Sequence, residues 1–163
     1  MADVCLAFDE QENNEVAIKV LRPDQLDTKA LSRFRKEASL IAGWQHPNII
    51  HIYGEVELDV LPNGRGTVLP YIVMEHIQGG NLKERLTPDQ PYPFSKVVTL
   101  FTQVCSAVQY AHEHGIIHRD IKPENILFRQ LPGSSEDVVL SDFGMAVALS
   151  ATHHTFSHGG TLS

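Results

Sequence analysis

Short hydrophobic runs separated by turn residues fill the first half of the chain, and this pattern predicts strands. Asn13 and Asn14 separate the first two runs, which are therefore expected to pair as a hairpin that Pro23 closes. Residues 62–66, which contain one proline and two glycines, predict a turn before the last of these strands. The predicted strands cover residues 4–8, 16–21, 49–56 and 68–74.

One helix is predicted within this strand-rich half. Hydrophobic residues recur with the helical period between residues 29 and 43, and either Asp27 or Thr28 can cap the first turn. Glu37 lies beside the hydrophobic stripe, so a helix that packs on the sheet would direct this carboxylate inward. The stripe consists of Leu31, Phe34, Ala38 and Ile41.

The pattern changes after Gly79 and Gly80, which predict a flexible joint. A long helix capped by Ser95 follows, and the composition changes near residue 78, so we expect two lobes with a short connector. Beyond residue 144 the chain becomes polar and irregular, which predicts a loop. The hydrophobic face expected for the long helix consists of Val97, Val98, Phe101, Val104, Cys105, Val108 and Ala111.

Composition and charge narrow the class of protein. Of the 163 residues, 42% are hydrophobic and 20% are charged, which is ordinary for a globular protein with one core. The formal net charge of −7 argues against a nucleic-acid partner, because such proteins usually carry a basic excess. Two cysteines are too few for a disulfide framework, so we expect the reducing cytoplasm, and no hydrophobic run approaches the length of a membrane span.

The residues best suited to chemistry lie in two short stretches. Residues 118–125 read His-Arg-Asp-Ile-Lys-Pro-Glu-Asn, and residues 142–144 read Asp-Phe-Gly. Together they supply a carboxylate that can act as a base, a cation, and two oxygen ligands suited to magnesium. Phosphoryl transfer needs mainly positioning and charge neutralisation, and this set of side chains provides both.

These two stretches and five other motifs follow one another along the chain in the order typical of protein kinases. Together they resemble a protein kinase of the eukaryotic type, in its bacterial serine/threonine branch. The resemblance implies an α+β, protein-kinase-like bilobal fold. An antiparallel-sheet N-lobe with one helix would cover residues 1–74, a hinge residues 75–80, and the first part of a mainly helical, incomplete C-lobe residues 81–163. The five motifs are Val16-Ala17-Ile18-Lys19, Glu37, His46-Pro47-Asn48-Ile49, Ile72-Val73-Met74-Glu75 and Gly160-Thr161.

The resemblance implies ATP and Mg²⁺ as cofactors and assigns roles to the polar residues. Lys19, held by an ion pair with Glu37, would reach the α and β phosphates. Asp120 would accept the proton of the substrate hydroxyl, and Lys122 would neutralise the γ phosphate. The implied magnesium ligands are Asn125 and Asp142.

The resemblance also implies an adenine site between hydrophobic side chains, with hinge backbone groups that hydrogen-bond the base. Cys5 is expected near the mouth of this site as a small wall residue. A stack of His118, Phe143, Ile41 and Ile52 would join the lobes. The implied adenine contacts are Val4, Ala17, Leu127, Met74 and the backbone of Glu75 and Ile77.

The resemblance also implies regulation by phosphorylation, because an arginine before the catalytic aspartate, here Arg119, marks family members that are switched by a phosphate on the following loop. Such a phosphate would pair with the guanidinium of Arg119. Thr155 is the first candidate for that phosphate and Thr152 the second; an unmodified polar loop is the alternative. Thr161 would contact Asp120 and Lys122 and favour hydroxyl substrates.

Both ends depart from the kinase pattern, and we therefore expect a partial domain. Residues 1–4 correspond only to the tail of the family's glycine-rich loop, and Ala2 stands where its third glycine would be. No Ala-Pro-Glu motif and no further helices follow Gly160-Thr161. We expect this piece alone to be marginally stable and nearly inactive, with a hydrophobic patch exposed on its long helix.

The function expected from the resemblance is that of a protein serine/threonine kinase, with proteins that carry serine or threonine as substrates and a kinase dimer as a partner for trans-autophosphorylation. The alternative is an inert module of the pseudokinase type, or a truncated one, that binds nucleotide or a partner without chemistry. A small-molecule phosphotransferase is disfavoured by Ile-Lys-Pro-Glu at residues 121–124 and by the loop that ends in Gly160-Thr161. Bacterial relatives often carry a membrane span after the kinase domain, so membrane anchoring of the parent protein stays open.

Overall fold

Four antiparallel strands form the sheet of the first half, in the order β1-β2-β4-β3. The computed structural model describes residues 2–60, 68–86, 91–129 and 137–148. Strands β1 and β2 pair from Ala2 opposite Leu21 to Asp9 opposite Asn14, so the predicted hairpin is confirmed. The strands of this sheet are β1 Ala2–Asp9, β2 Asn14–Leu21, β3 Glu57–Val60 and β4 Val68–Glu75.

The strand predicted over residues 49–56 is wrong, because β3 begins at Glu57. Within the predicted range, Ile49 and Ile52 form isolated bridges to Leu140 and Met74. Ile49, Ile50 and Ile52 are buried, and they pack between the sheet and the second half of the chain. These isoleucines are hydrophobic because they are buried between the two halves of the chain. The hydrogen-bonded ladder with β4 begins only at Glu57. The turn predicted at residues 62–66 lies outside the described residues.

Helix α1 covers Thr28–Ile41, and Asp27 is its N-cap. The carboxylate oxygen Oδ1 of Asp27 accepts a hydrogen bond from the backbone N–H of Ala30 at 2.7 Å. This cap, rather than Thr28, satisfies one of the free N–H groups of the first turn. The buried residues of α1 are Phe34, Glu37, Ala38 and Ile41, so the inward direction predicted for Glu37 is confirmed.

Helix α3 covers Phe94–Glu113, and its N-cap is Pro93, which provides no side-chain cap. The prediction that Ser95 caps this helix is wrong. Ser95 lies within the first turn, and its carbonyl oxygen accepts a hydrogen bond from the Thr99 hydroxyl at 3.1 Å. Proline is favoured where a helix begins because it has no N–H to leave unsatisfied, so the helix starts earlier than the serine suggests.

The hydrophobic face predicted for α3 is partly wrong. The helix packs against strand β7, Asp137–Leu140, and its buried stripe is spaced by four, three and four residues. Val98, Phe101 and Cys105 point away from this stripe and are exposed. Phe94, at 82% exposure, belongs to the same exposed hydrophobic surface, in agreement with the patch expected on this helix. The buried stripe consists of Leu100, Val104, Ala107 and Ala111.

A second hairpin, β6–β7, brings two functional stretches to one end. Ile126, the first residue of β6, pairs with Leu140, the last residue of β7. Asn125 directly precedes β6 and Asp142 follows β7 by two residues, so both lie at the same end of the hairpin. The remaining elements are α2 Leu82–Arg85, β5 Ile116–Ile117, β6 Ile126–Arg129, β7 Asp137–Leu140 and β8 Val147–Ala148.

One hydrophobic cluster joins the strand-rich half to the helical half. It includes Ile41 and Ile52 from the first half and Phe143 from the second, and these side chains are 1%, 5% and 1% exposed. The lobe and hinge boundaries expected at residues 74 and 80 stay predictions. Across the described ranges, no helix is long and hydrophobic enough to cross a bilayer.

Candidate active site

A cleft of about 1010 Å³ lies between the four-stranded sheet and the β6–β7 hairpin. All seven residues predicted to form the ATP-binding set line this cleft, so the structure brings that set together. Cys5 also lines it, is exposed, and donates a weak hydrogen bond from Sγ to the carbonyl oxygen of Ile18 at 3.6 Å. The lining residues predicted from the sequence are Val4, Ala17, Lys19, Met74, Glu75, Ile77 and Leu127.

An ion pair between β2 and α1 occupies the inner part of the cleft. The ammonium Nζ of Lys19 lies 2.6 Å from Oε1 of Glu37 and 3.0 Å from Oδ1 of Asp142. Lys19 and Glu37 are largely buried, with side-chain exposures of 16% and 8%. Removing charges from water is costly, so a buried ion pair often adds little to stability. Its presence here therefore suggests a role other than stabilisation. The position of the cation inside a cleft is consistent with an anionic ligand.

Burial and the neighbouring charges shift the pKa values of Lys19, Glu37 and Asp142. Burial alone would lower the pKa of Lys19, but the charges of Glu37 and Asp142 outweigh it and raise the pKa above 10.5. Burial raises the pKa of Glu37 above its ordinary value, although Lys19 opposes this shift. Burial also acts to raise the pKa of Asp142, but Lys19 reverses the effect and the pKa falls below 3.8. Lys19 is therefore a permanent cation and Asp142 a permanent anion at neutral pH.

Asp142 reaches Lys19 because its backbone adopts a left-handed conformation, with φ 60° and ψ 71°. This turn directs the carboxylate into the cleft while the next residue, Phe143, is buried. A Cβ atom on Gly144 would lie 3.2 Å from Oδ1 of Asp142 and 3.3 Å from Oε2 of Glu37. A side chain at this position would therefore crowd both carboxylates.

A second polar cluster surrounds Asp120. The ammonium of Lys122 lies 2.7 Å from Oδ2 of Asp120, and Nδ2 of Asn125 donates to the same oxygen at 3.1 Å. Asn125 also donates to the backbone carbonyl of Asp120 at 2.8 Å and is only 5% exposed. The hydrogen bond to Asp120 raises the pKa of Lys122. The carboxylate is thus held beside a cation by a buried amide, and Asn125 joins this cluster to the cleft.

His118 fixes the backbone of this loop. Its Nδ1 accepts a hydrogen bond from the N–H of Asp120 at 3.2 Å, so the proton of the neutral ring must be on Nε2. Nε2 can then donate to the carbonyl oxygen of Ser141, which lies 3.1 Å away. Burial lowers the pKa of His118, which favours this neutral form. The ring also packs on Phe143 with centroids 4.4 Å apart, as expected for the stack between the lobes.

Three residues that hold parts of the site or its surroundings through hydrogen bonds or ion pairs were not assigned a role from the sequence. Ser141 lines the cleft, and both its N–H and its hydroxyl donate to the carbonyl oxygen of Asn125. Asn48 donates to the carbonyl oxygen of Val138 at 2.7 Å, although only its surrounding motif was recognised. Arg129 forms an ion pair with Glu75, and no local pattern marks an arginine at the end of a strand as a partner for a distant carboxylate.

Of the four residues predicted to be regulatory, Arg119 lies within the described part of the chain. Arg119 is exposed and has a positive φ of 68°, so its backbone turns sharply just before Asp120. Thr152, Thr155 and Thr161 lie outside the described residues.

The oxygen donors in the cleft fit a magnesium ion. Among the described residues, no group of three or more His, Cys, Asp or Glu side chains could hold a metal. Magnesium is usually bound through one or two carboxylates, with the remaining positions filled by water and substrate phosphates. The Asp142 carboxylate, 43% exposed, and the amide oxygen of Asn125 match that smaller set.

The chain belongs to the protein kinase family, because the family model described as "Protein kinase domain" matches residues 1–163. The expected kinase-like α+β fold and the resemblance to bacterial serine/threonine kinases are therefore confirmed. Serine/threonine-protein kinase PrkC of Bacillus subtilis is 40% identical over 159 residues, covering 97% of this chain and 22% of that protein. Serine/threonine-protein kinase PknB of Mycolicibacterium smegmatis is 39% identical over 153 residues, covering 93% of this chain and 23% of that protein. The chain thus spans less than a quarter of these relatives.

Proposed function

We propose that the protein containing this chain transfers the γ phosphate of ATP to serine or threonine hydroxyls of proteins. One observation carries the proposal. Lys19 lies between Glu37 and Asp142 inside the cleft, and Asn125, which lines the same cleft, donates a hydrogen bond to Asp120 of the Asp120–Lys122 pair. The names of the bacterial relatives, all serine/threonine-protein kinases, support the same class of substrate.

ATP would bind with its adenine between the hydrophobic walls of the cleft. Val4 and Ala17 belong to the sheet and Leu127 belongs to β6. Met74, which also lines the cleft, would lie at the back of the adenine site. The backbone of Glu75 and Ile77 would hydrogen-bond the base. The triphosphate would then extend towards Lys19, whose ammonium is the cation at the inner part of the cleft.

Asn125 and Asp142 would hold Mg²⁺ beside the phosphates. When bound, the ion supplies positive charge that neutralises the phosphate oxygens. Because the pKa of Asp142 is lowered, its carboxylate stays ionised and available as a ligand at neutral pH. Lys19 already pairs with this carboxylate, so the cation and the metal ligand are positioned together.

Asp120 would orient the substrate hydroxyl and accept its proton. As the hydroxyl oxygen bonds to the γ phosphorus, the bond from that phosphorus to the β–γ bridging oxygen breaks, and ADP leaves. Lys122, whose side chain is 44% exposed, would neutralise the negative charge of the transferred group. Asn125, by holding both the backbone and the carboxylate of Asp120, limits its rotation.

Regulation and location extend the proposal. Arg119 would receive a phosphate on Thr155, or on Thr152, and Thr161 would contact Asp120 and Lys122 in the active state. A kinase dimer would add the phosphate in trans. We place this domain in the cytoplasm, where ATP is available as phosphate donor. Its partners would be proteins rather than nucleic acid.

The Asp120→Asn variant of the full-length protein tests this function, with Asp24→Asn as the matched control in an exposed ion pair. Transfer from γ-labelled ATP to a mixture of protein substrates is measured together with the Kd for Mg-ATP. General-base catalysis contributes on the order of 10²–10⁴-fold, so Asp120→Asn should lose at least about 100-fold in rate while its Kd changes little. Full activity in this variant would overturn the assignment.

A further inference from the structure

Arg129, the last residue of β6, connects three segments around the cleft. Its Nη2 donates to Oε1 and Oε2 of Glu75 at 2.9 and 2.7 Å. Its Nη1 donates to the carbonyl oxygen of Pro47 at 2.9 Å. The side chains of Arg129 and Glu75 are only 27% and 17% exposed, so solvent screens this ion pair less than an ordinary surface pair.

Glu75 is held on its other side by the segment that crosses between the lobes. Its Oε1 accepts a hydrogen bond from the N–H of His51 at 3.0 Å. Its own N–H donates to the carbonyl oxygen of His51, also at 3.0 Å. Glu75 therefore has its backbone and its carboxylate fixed by His51 and Arg129 together, which leaves the end of β4 little freedom to shift.

The two strands that Arg129 connects carry opposite walls of the adenine site. Met74, Glu75 and Ile77 line the cleft from the end of β4 and the residues that follow it. Leu127 lines it from β6, two residues before Arg129 and on the same face of the strand. The guanidinium thus fixes the distance between the Leu127 wall and the hinge backbone.

We propose that Arg129 is a positioning residue for the adenine ring, an inference that rests on the nucleotide binding proposed above. It acts through Glu75 and does not touch the nucleotide. A guanidinium is required because it can donate from two different nitrogens, to the carboxylate and to the Pro47 carbonyl. A lysine could keep the charge opposite Glu75 but would lose the second contact.

The test compares Arg129→Gln, Arg129→Lys and the control Arg22→Gln, in which an exposed arginine–aspartate pair is removed. The Kd values of Mg-ATP and of adenosine are measured by calorimetry well below the unfolding temperature of each variant. Because adenosine has no phosphates, it separates a hinge effect from a general loss of positive charge near the triphosphate. Arg129→Gln should weaken both ligands by a similar factor of about ten, and Arg129→Lys should restore part of the loss.

Each other result is decisive. ATP binding that Arg129→Gln leaves unchanged would overturn this inference and leave the proposed function intact. Weakened ATP binding with unchanged adenosine binding would also overturn it, since the loss would then come from the phosphates. If the unsubstituted full-length protein bound neither ligand, the proposed function would fail and this inference with it.

Discussion

Replacing Lys19 with methionine removes the cation of the cleft and keeps a side chain of similar length. Glu37 and Asp142 would then face each other without the ammonium that lies 2.6 and 3.0 Å from them. Removing one partner of a buried ion pair typically costs about 3–5 kcal/mol. Asp142 is 43% exposed and partly screened by solvent, so we expect the lower end of that range, about 3 kcal/mol at pH 8.

The loss should depend on pH, because Glu37 already has a pKa raised by burial. Without Lys19 that pKa rises further, and a carboxyl group with a raised pKa in the folded state destabilises the fold only where it is ionised. As the pH falls through the folded pKa, Glu37 binds a proton and the penalty disappears. The difference from the unsubstituted protein should therefore shrink to roughly 1 kcal/mol at pH 5.

Urea unfolding at pH 8 and pH 5 measures this difference, with Lys36→Met on the exposed face of α1 as the control. A loss of about 3 kcal/mol should lower the Tm by roughly 6–12 °C for a chain of this size. The control should stay within about 0.5 kcal/mol at both pH values. A Lys19→Met loss that is absent, or that is equal at pH 8 and pH 5, would refute the electrostatic reasoning.

Three further predictions follow from the site and its supports. Asp142→Asn should abolish the strengthening of ATP binding by Mg²⁺; a Kd that still falls on adding Mg²⁺ would argue against Asp142 as a ligand. Gly79→Ala would place its Cβ against the carbonyl oxygen of Phe128 and should cost about 1–3 kcal/mol in unfolding free energy, whereas an unchanged urea midpoint would contradict the close approach. The pKa of His118 is lowered in the fold, so the stability it contributes is present above pH 6.5 and lost as the pH falls. When the pH is lowered from 7.5 to 5, the free energy of unfolding should therefore fall less for His118→Phe than for the unsubstituted protein. Equal slopes of unfolding free energy against pH would refute this.

Local chemistry predicts the elements that carry the site. Asn13 and Asn14 mark the β1–β2 hairpin, and Asp27 marks the beginning of α1 with the geometry that an N-cap requires. The inward direction of Glu37 follows from its place beside the helical stripe. These signals act within a few residues, so a single sequence contains them in full.

The errors occur where burial depends on distant segments. Ile49, Ile50 and Ile52 are hydrophobic because they cross between the lobes, and a strand with the same composition has the same local pattern. Cys105 lies on a hydrophobic helix, yet which stripe of that helix is buried depends on where β7 packs. Periodicity shows that a helix has a hydrophobic face but cannot rank two adjacent hydrophobic stripes.

The residues of the candidate site also fall into those that the sequence predicts and those that only the structure reveals. Lys19, Asp120 and Asp142 are predicted from motifs, because their neighbours in sequence identify them. Arg129 is not, because its role depends on Glu75, 54 residues earlier in the chain, and on a carbonyl oxygen that carries no side-chain signal. Motifs therefore identify groups that would react, and the structure identifies groups that hold them in position.

The most direct test of the account is to identify the product formed from γ-labelled ATP by the full-length protein with Mg²⁺ and a protein substrate. Acid hydrolysis of the labelled protein followed by separation of phosphoamino acids gives the answer. The account predicts phosphoserine or phosphothreonine, and loss of this label in Asp120→Asn. Tight binding of Mg-ATP without any labelled product would contradict protein kinase activity and favour an inert nucleotide-binding module. Release of the label only as inorganic phosphate would contradict it as well and would indicate an ATPase.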